Sequence, residues 1–235
     1  MLIINGELVE AIASPLKMVA AVEDAFALFG RGDYDMPNRF SCENGGITSL
    51  YMPCFTKETF GTKMLTLVPE NRECGLPSID GVMLLNDHVT GAAKALIDAK
   101  TLTAWRTGAT GAMAAKHLSR EDAKTLGIVG CGMQGLYQAV CICAVRGIRE
   151  VFLYDKFGVR DSFLRKLQVR LGSQITVNVC ADTEELVEGS DIIVTTTFST
   201  SPVLPERPEL LKGRCYIAVG SYKPEMRELP DSLLT

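Results

Sequence analysis

Apolar positions recur along this chain in two ways, at helical spacing and in short runs cut by turn residues, and the changes between them mark its organisation. Leu16, Val19, Val22, Phe26 and Phe29 lie one helical turn apart, behind an N-cap serine, Ser14, and a proline at the first helical position, Pro15. Gly30 is the expected stop. After a loop over Arg31–Asn38 the texture becomes one of short strands, at 46–51, 61–68, 79–86 and 93–98. Asn44-Gly45-Gly46, the stretch Asn71–Gly75 and the stretch Asn86–Gly91 supply the turns between them. The pattern predicts a mostly antiparallel, curved sheet carrying one helix.

A helix over Leu102–Leu118 follows, rich in small residues at Gly108, Ala109, Gly111, Ala112, Ala114 and Ala115, which let a backbone or a ligand come close. Arg106 and Thr110 share one face of it. With Thr103 or Thr107 as its cap, Arg106 lies near the positive end of the helix, a place suited to an anion.

From Leu126 onward strands and helices alternate: strands at 126–129, 151–154, 175–179, 191–195 and 215–219, and helices at 136–146, 161–171 and 186–188. Gly147 and Gly172 close the first two helices, and Asp182-Thr183-Glu184-Glu185 is a capping box for the third. Such alternation implies a parallel, doubly wound sheet. The fold class expected is therefore α/β, a doubly wound domain over 119–235 behind an α+β domain over 1–118.

Composition excludes more than it identifies. At 235 residues, with 47% hydrophobic and 22% charged positions, the chain suits one large or two small globular domains. A net charge of -4 with scattered Lys and Arg gives no nucleic-acid surface, and no apolar run is long enough for a membrane span. The start, MLIINGELVE, lacks a basic segment and a cleavage site, and the eight cysteines are irregularly spaced without C-x-x-C. Buried thiols in a reducing cytoplasm are expected. With only His88 and His117 as histidines, no metal site is expected.

Between strand 126–129 and the next helix stands Gly130-Cys131-Gly132-Met133-Gln134-Gly135, a complete G-x-G-x-x-G, and Asp155 ends the following strand. This context makes it a dinucleotide fingerprint. Gly130 permits the turn, Gly132 lets a pyrophosphate approach the backbone, and Gly135 lets helix and strand pack closely. The first-turn amides from Met133 and Gln134 onward face the phosphates. Asp155 would bind the ribose hydroxyls and repel a 2′-phosphate, which favours NAD over NADP, although Lys156 weakens that preference. The segments 195–197 and 220–222 leave strand ends where such sheets bind ligands. Lys63, inside a strand, and Arg39, just past Pro37, are charges whose ordinary explanation is an exposed face.

With these residues in hand the sequence resembles the ornithine cyclodeaminase/μ-crystallin family. The resemblance rests on GTKMLTLVPEN around Lys63, on GVMLLNDHVTGAAKALIDAKTLTAWRTGATGAMAAKHL, on GIVGCGMQG and on AVGSYKPEMRELP. It implies an NAD(P)-binding Rossmann domain, an N-terminal domain that forms a homodimer, and a small amino or imino acid as substrate. Arg39, Lys63 and Arg106 are then the substrate-binding cations, with Lys63 and Arg106 the catalytic pair. Ser78, Arg106, Thr107, Gly130, Gly132, Met133, Gln134, Gly135, Asp155, Thr196, Val219, Gly220 and Ser221 line the cofactor. Tyr222, the fourth substrate-binding residue the resemblance implies, stands where the cyclodeaminase carries an aspartate, and a tyrosine supplies no negative charge at neutral pH. Hydride transfer by a ketimine reductase or amino-acid dehydrogenase is therefore expected, with ornithine cyclodeaminase and a non-catalytic dinucleotide-binding protein as the alternatives. The family's chains run further, through a C-terminal segment that completes the N-terminal domain.

Overall fold

Residues 1–72, 74–221 and 223–233 are described in a computed structural model. They divide into two compact units, 1–105 and 106–235.

The first unit is built on a mixed seven-stranded sheet. Its strands are β1 (Leu2–Ile4), β2 (Tyr34–Asp35), β3 (Phe40–Asn44), β4 (Ile47–Thr56), β5 (Thr59–Leu67), β6 (Ile79–Asp87) and β7 (Ala93–Asp98). The spatial order is β1-β7-β6-β5-β4-β2, with β3 also on β4. All pairs are antiparallel except β1 with β7. Four of these strands match the sequence pattern. The short β1, β2 and β3 do not stand out in it, because they take their order from pairing, not from an apolar alternation of their own. Pro53 has no N–H for the ladder, and it falls on β4 between the stretch paired with β3, which ends at Tyr51, and the stretch paired with β2, which starts at Phe55.

Two helices accompany this sheet, α1 (Gly6–Ile12) and α2 (Pro15–Arg31). Asn5 caps α1 by accepting the Leu8 N–H at 2.9 Å. In α2 the proline at the first position is present, but Ser14 makes no side-chain capping bond. The helix runs through Gly30 and stops at Gly32, whose φ of 71° supplies the left-handed turn that Gly30 was expected to make. Many large apolar residues of this unit remain exposed, among them Leu2, Ile3, Ile12, Leu16, Phe26, Phe29 and Phe40.

Helix α3 (Ala99–Leu118) runs across the division between the units. It begins three residues before the expected start, because Asp98 accepts the Thr101 N–H at 2.7 Å and so acts as its cap. Thr103 and Thr107 lie inside the helix and cap nothing.

The second unit holds a parallel five-stranded sheet of order β10-β9-β8-β11-β12. Its strands are β8 (Thr125–Val129), β9 (Glu150–Tyr154), β10 (Thr176–Val179), β11 (Ile192–Thr195) and β12 (Cys215–Ala218). They alternate with α4 (Met133–Val145), α5 (Asp161–Leu171), α6 (Thr183–Glu188) and α7 (Pro208–Leu211). This is the expected doubly wound order, with the reversal beside β8. Leu126, Ile128, Leu153, Ile192 and Ile193 are fully buried, which explains why these strands read as continuous apolar runs. Asp182 caps α6 through the Glu185 N–H at 2.9 Å, and Glu185 reaches back to the Ala181 N–H at 2.7 Å. At the amino edge of this sheet Asp191 accepts the Lys124 and Thr125 N–H groups and meets Arg120. No described helix is long and apolar enough to cross a membrane.

Candidate functional site

All five strands of the second unit are parallel, so Gly130, Asp155, Thr196 and Val219 emerge at one edge, just past the carboxyl ends of β8, β9, β11 and β12. Gly130 has φ 98°, open to glycine at no steric cost, and its N–H donates to Tyr154 O at 2.9 Å. Gly135 brings α4 against the loop so tightly that a Cβ there would stand 2.3 Å from Gly130 O. Gly132 differs, since beside it no heavy atom lies within 4 Å of a Cβ position.

Gly132 is also the N-cap of α4, and no side chain bonds to that end. The helix starts at Met133, so the N–H groups of Met133 and Gln134 belong to its unsatisfied first turn. Met133 is half exposed, and Gln134 Oε1 is buried with no hydrogen-bond partner among the described residues. An open glycine, an uncapped helix end and an orphaned buried acceptor fit a phosphate-bearing ligand with donors of its own.

Asp155 Oδ2 accepts the Cys131 N–H at 2.8 Å and Oδ1 the Phe157 N–H at 2.9 Å. Each oxygen keeps a further lone pair for a ribose hydroxyl. Across the sheet Thr196 Oγ1 donates to Gly130 O at 2.7 Å, and its N–H to Val129 O at 2.9 Å. Val219 N–H donates to Thr195 O at 2.9 Å, and Ser221 is exposed. The neighbouring Thr197 and Gly220 are both bound to a buried carboxylate, Glu228. The sequence pattern does not single out Glu228, which sits in an irregular segment where no periodicity marks a residue as inward.

Arg106 occupies the eighth position of α3, well past the turn where the helix dipole acts, so the expected placement at its positive end is overturned. Desolvation pulls its guanidinium below the ordinary value. The residue is nonetheless exposed to solvent and stays charged. Thr110 donates its hydroxyl to Arg106 O at 2.8 Å, an internal helix bond. The small residues of α3 have a packing partner. A Cβ at Gly108 would stand 2.5 Å from Tyr137 O, and one at Gly111 would stand 1.9 Å from Gln138 Oε1. Gln138, fully buried on α4, donates to Thr107 O at 2.9 Å. With Gln134 it is one of two glutamines in a largely apolar helix, the one signal that could have marked it. Thr107 Oγ1 is a second orphaned buried atom.

In the first unit Lys63 corrects its ordinary explanation. It is half-buried and in phase with the buried Gly61 and Leu65 of β5. Its cross-strand partners are Met52 and Met83, and paired residues share a face. Arg39 directly precedes Phe40, the partner of Tyr51, at the point where the pairing of β3 with β4 ends. Arg39 is exposed, and Ser78 leads into β6 with its carbonyl accepting the Val68 N–H at 2.9 Å. Tyr222 lies outside the described residues.

The cysteines are free, and only two of the eight, Cys141 and Cys180, are fully buried. Cys42 and Cys74 are exposed, so the expectation of buried thiols holds for part of the set.

Residues 3–235 match the model of the ornithine cyclodeaminase/mu-crystallin family. A Delta(1)-pyrroline-2-carboxylate reductase of Bacillus thuringiensis subsp. konkukian is 41% identical over 187 residues, 78% of this chain and 56% of that protein. An alanine dehydrogenase of Archaeoglobus fulgidus is 33% identical over 236 residues, 99% of this chain and 71% of that protein. The structure of Thermococcus litoralis Delta(1)-pyrroline-2-carboxylate reductase in complex with NADH and L-proline superposes with a TM-score of 0.88 at 32% identity, covering 99% of this chain and 72% of that one. The chain thus spans just over half the length of the curated reductases it matches. With the family model matched over nearly its whole length, the chain belongs to the ornithine cyclodeaminase/mu-crystallin family.

Proposed function

We propose that the chain belongs to an NAD(H)-dependent oxidoreductase transferring hydride at the Cα of a small amino or imino acid, of the ketimine reductase or amino-acid dehydrogenase type. The observation that carries the reading is Lys63, a cation in register with the buried face of a sheet, between Met52 and Met83, in a chain that also holds a dinucleotide cradle. Relatives at 41% and 33% identity that are a pyrroline-2-carboxylate reductase and an alanine dehydrogenase support it.

The roles follow from the chemistry of the groups. Gly130, Gly132 and Gly135 with the amides of Met133 and Gln134 receive the pyrophosphate, and Asp155 receives a ribose. Ser78, Thr107, Thr196, Val219, Gly220 and Ser221 complete the cofactor's surroundings. NAD(H), when bound, supplies or accepts the hydride. Arg39 and Arg106 hold the substrate carboxylate with planar, bidentate donors. Lys63 adds charge at the carboxylate or moves the proton at the substrate nitrogen. Much of the rate enhancement then comes from positioning. The first compact unit serves as the substrate and dimerisation domain and the second as the NAD domain. The exposed Phe26, Phe29 and Phe40 favour a homodimer, and the free cysteines favour the cytoplasm.

The test is NADH consumption with Delta(1)-pyrroline-2-carboxylate, with pyruvate plus ammonia, and with ornithine. Oxidation of NADH by the imino acid or the keto acid with ammonia is expected. Proline and ammonia from ornithine without net NADH change would overturn the reading, as would tight NADH binding with no turnover of any of the three.

A further inference from the structure

Glu228 is 1% exposed, and no salt bridge to it occurs among the described residues. Its Oε1 accepts the Thr197 N–H at 2.6 Å and the Thr197 hydroxyl at 2.7 Å. Its Oε2 accepts the Gly220 N–H at 2.6 Å. Thr197 lies two residues past the end of β11, and Gly220 two residues past the end of its neighbour β12. One carboxylate therefore joins equivalent points on adjacent strand ends. The join leaves no room to spare, since a Cβ on Gly220 would stand 2.0 Å from Thr197 O. Glu228 is itself anchored by backbone bonds, with Val203 N–H donating to its carbonyl at 2.8 Å and Arg227 N–H donating to Ser199 O at 2.8 Å.

Burying a carboxylate costs solvation that an apolar contact at the same corner would not. Its position says what the charge is for. A dinucleotide lies across the reversal of a doubly wound sheet, one mononucleotide over each half. Asp155, at the end of β9, belongs to the adenosine half. Thr196, Thr197 and Val219–Ser221, at the ends of β11 and β12, belong to the other.

We propose that Glu228 is the positioning residue of the nicotinamide half of the dinucleotide site, holding the two strand-end loops at the spacing that half requires. The inference rests on the dinucleotide reading above. Glu228→Gln retains shape but turns one acceptor into an NH2 group that faces backbone or hydroxyl donors, so the two loops can no longer both be held.

ADP, which carries only the adenosine half, separates this role from a general loss of structure. In calorimetric titrations the wild-type chain is expected to bind both NADH and ADP. Glu228→Gln is expected to weaken NADH about tenfold or more while ADP changes less than about twofold. Should Glu228→Gln fail to fold, Thr197→Val, which removes only the hydroxyl donor, is expected to weaken NADH about threefold with ADP unchanged. Equal losses for the two ligands, or no loss for NADH, in the variant that folds would overturn the role of Glu228 alone. A wild-type chain that binds neither ligand would instead overturn the dinucleotide reading itself.

Discussion

Asp155 holds the backbone N–H of Cys131 at 2.8 Å, so the acid that ends β9 also fixes the shape of the glycine loop after β8. Recognition and loop geometry thus share one carboxylate. Asp155→Asn keeps an acceptor for the Cys131 N–H, turns its NH2 toward the Phe157 N–H, and removes the charge that repels a 2′-phosphate. The affinity for NADP relative to NAD is expected to rise about tenfold. Fluorescence titration with both reduced cofactors measures this ratio, and an unchanged ratio would refute discrimination by charge.

Gly132 and Gly135 separate binding from stability. Beside Gly132 the space is open, so Gly132→Val is expected to fold with a stability change within about 0.5 kcal/mol and to lose dinucleotide binding. At Gly135 a side chain meets Gly130 O, a backbone atom that cannot step aside, and Gly135→Ala is expected to cost about 2–3 kcal/mol. Urea denaturation and NADH titration of both variants check the contrast. A normal dissociation constant for Gly132→Val would remove the cofactor assignment.

Lys63→Met places a third methionine between Met52 and Met83, at similar volume and without a charge to solvate. Stability is expected to hold or rise, whereas kcat/KM falls by about a hundredfold or more. Steady-state kinetics beside a thermal melt distinguishes this from a structural role, in which activity and stability would fall together.

Burial, aided by the Asp155 carboxylate, pushes the Cys131 thiol up to about 12. Burial does the same for Cys141 and Cys143, each raised to about 12. An unfolded cysteine ionises near 8.5, roughly. Above that pH the unfolded chain releases protons that the folded chain keeps. The stability linked to these thiols is therefore complete below about pH 8.5 and is lost as pH rises toward 12. Iodoacetamide at pH 8 is expected to label the exposed Cys42 and Cys74 and to spare Cys131, Cys141 and Cys143, as peptide mass mapping would show. Rapid labelling of Cys131 would contradict the buried, neutral thiol.

The second unit was the more legible in sequence. The strand at 126–129, the glycines at 130, 132 and 135, Asp155, and the helix end at Gly172 all appear close to where the pattern set them. Fully buried parallel strands and glycine-dependent turns draw on short-range signals, so neighbouring residues suffice to reveal them. Legibility fell where the local signal was weak or where two local signals competed. Strand β3 forms because β4 is beside it, α2 passes Gly30 to end at Gly32, and α3 starts at Ala99 because Asp98 supplies the cap.

What the sequence determined by itself is the order of the elements and the identity of the chemical groups. A 2.0 or 3.6 period, a glycine where backbone must come close and an acid after a strand are local properties of the chain. The tertiary structure decided what those groups meet. It set Lys63 in register with a buried face, gave the small residues of α3 to α4 as a packing surface, and brought Glu228 to Thr197 and Gly220. Those contacts depend on pairing register and on burial, which arise only when segments far apart in sequence close on one another.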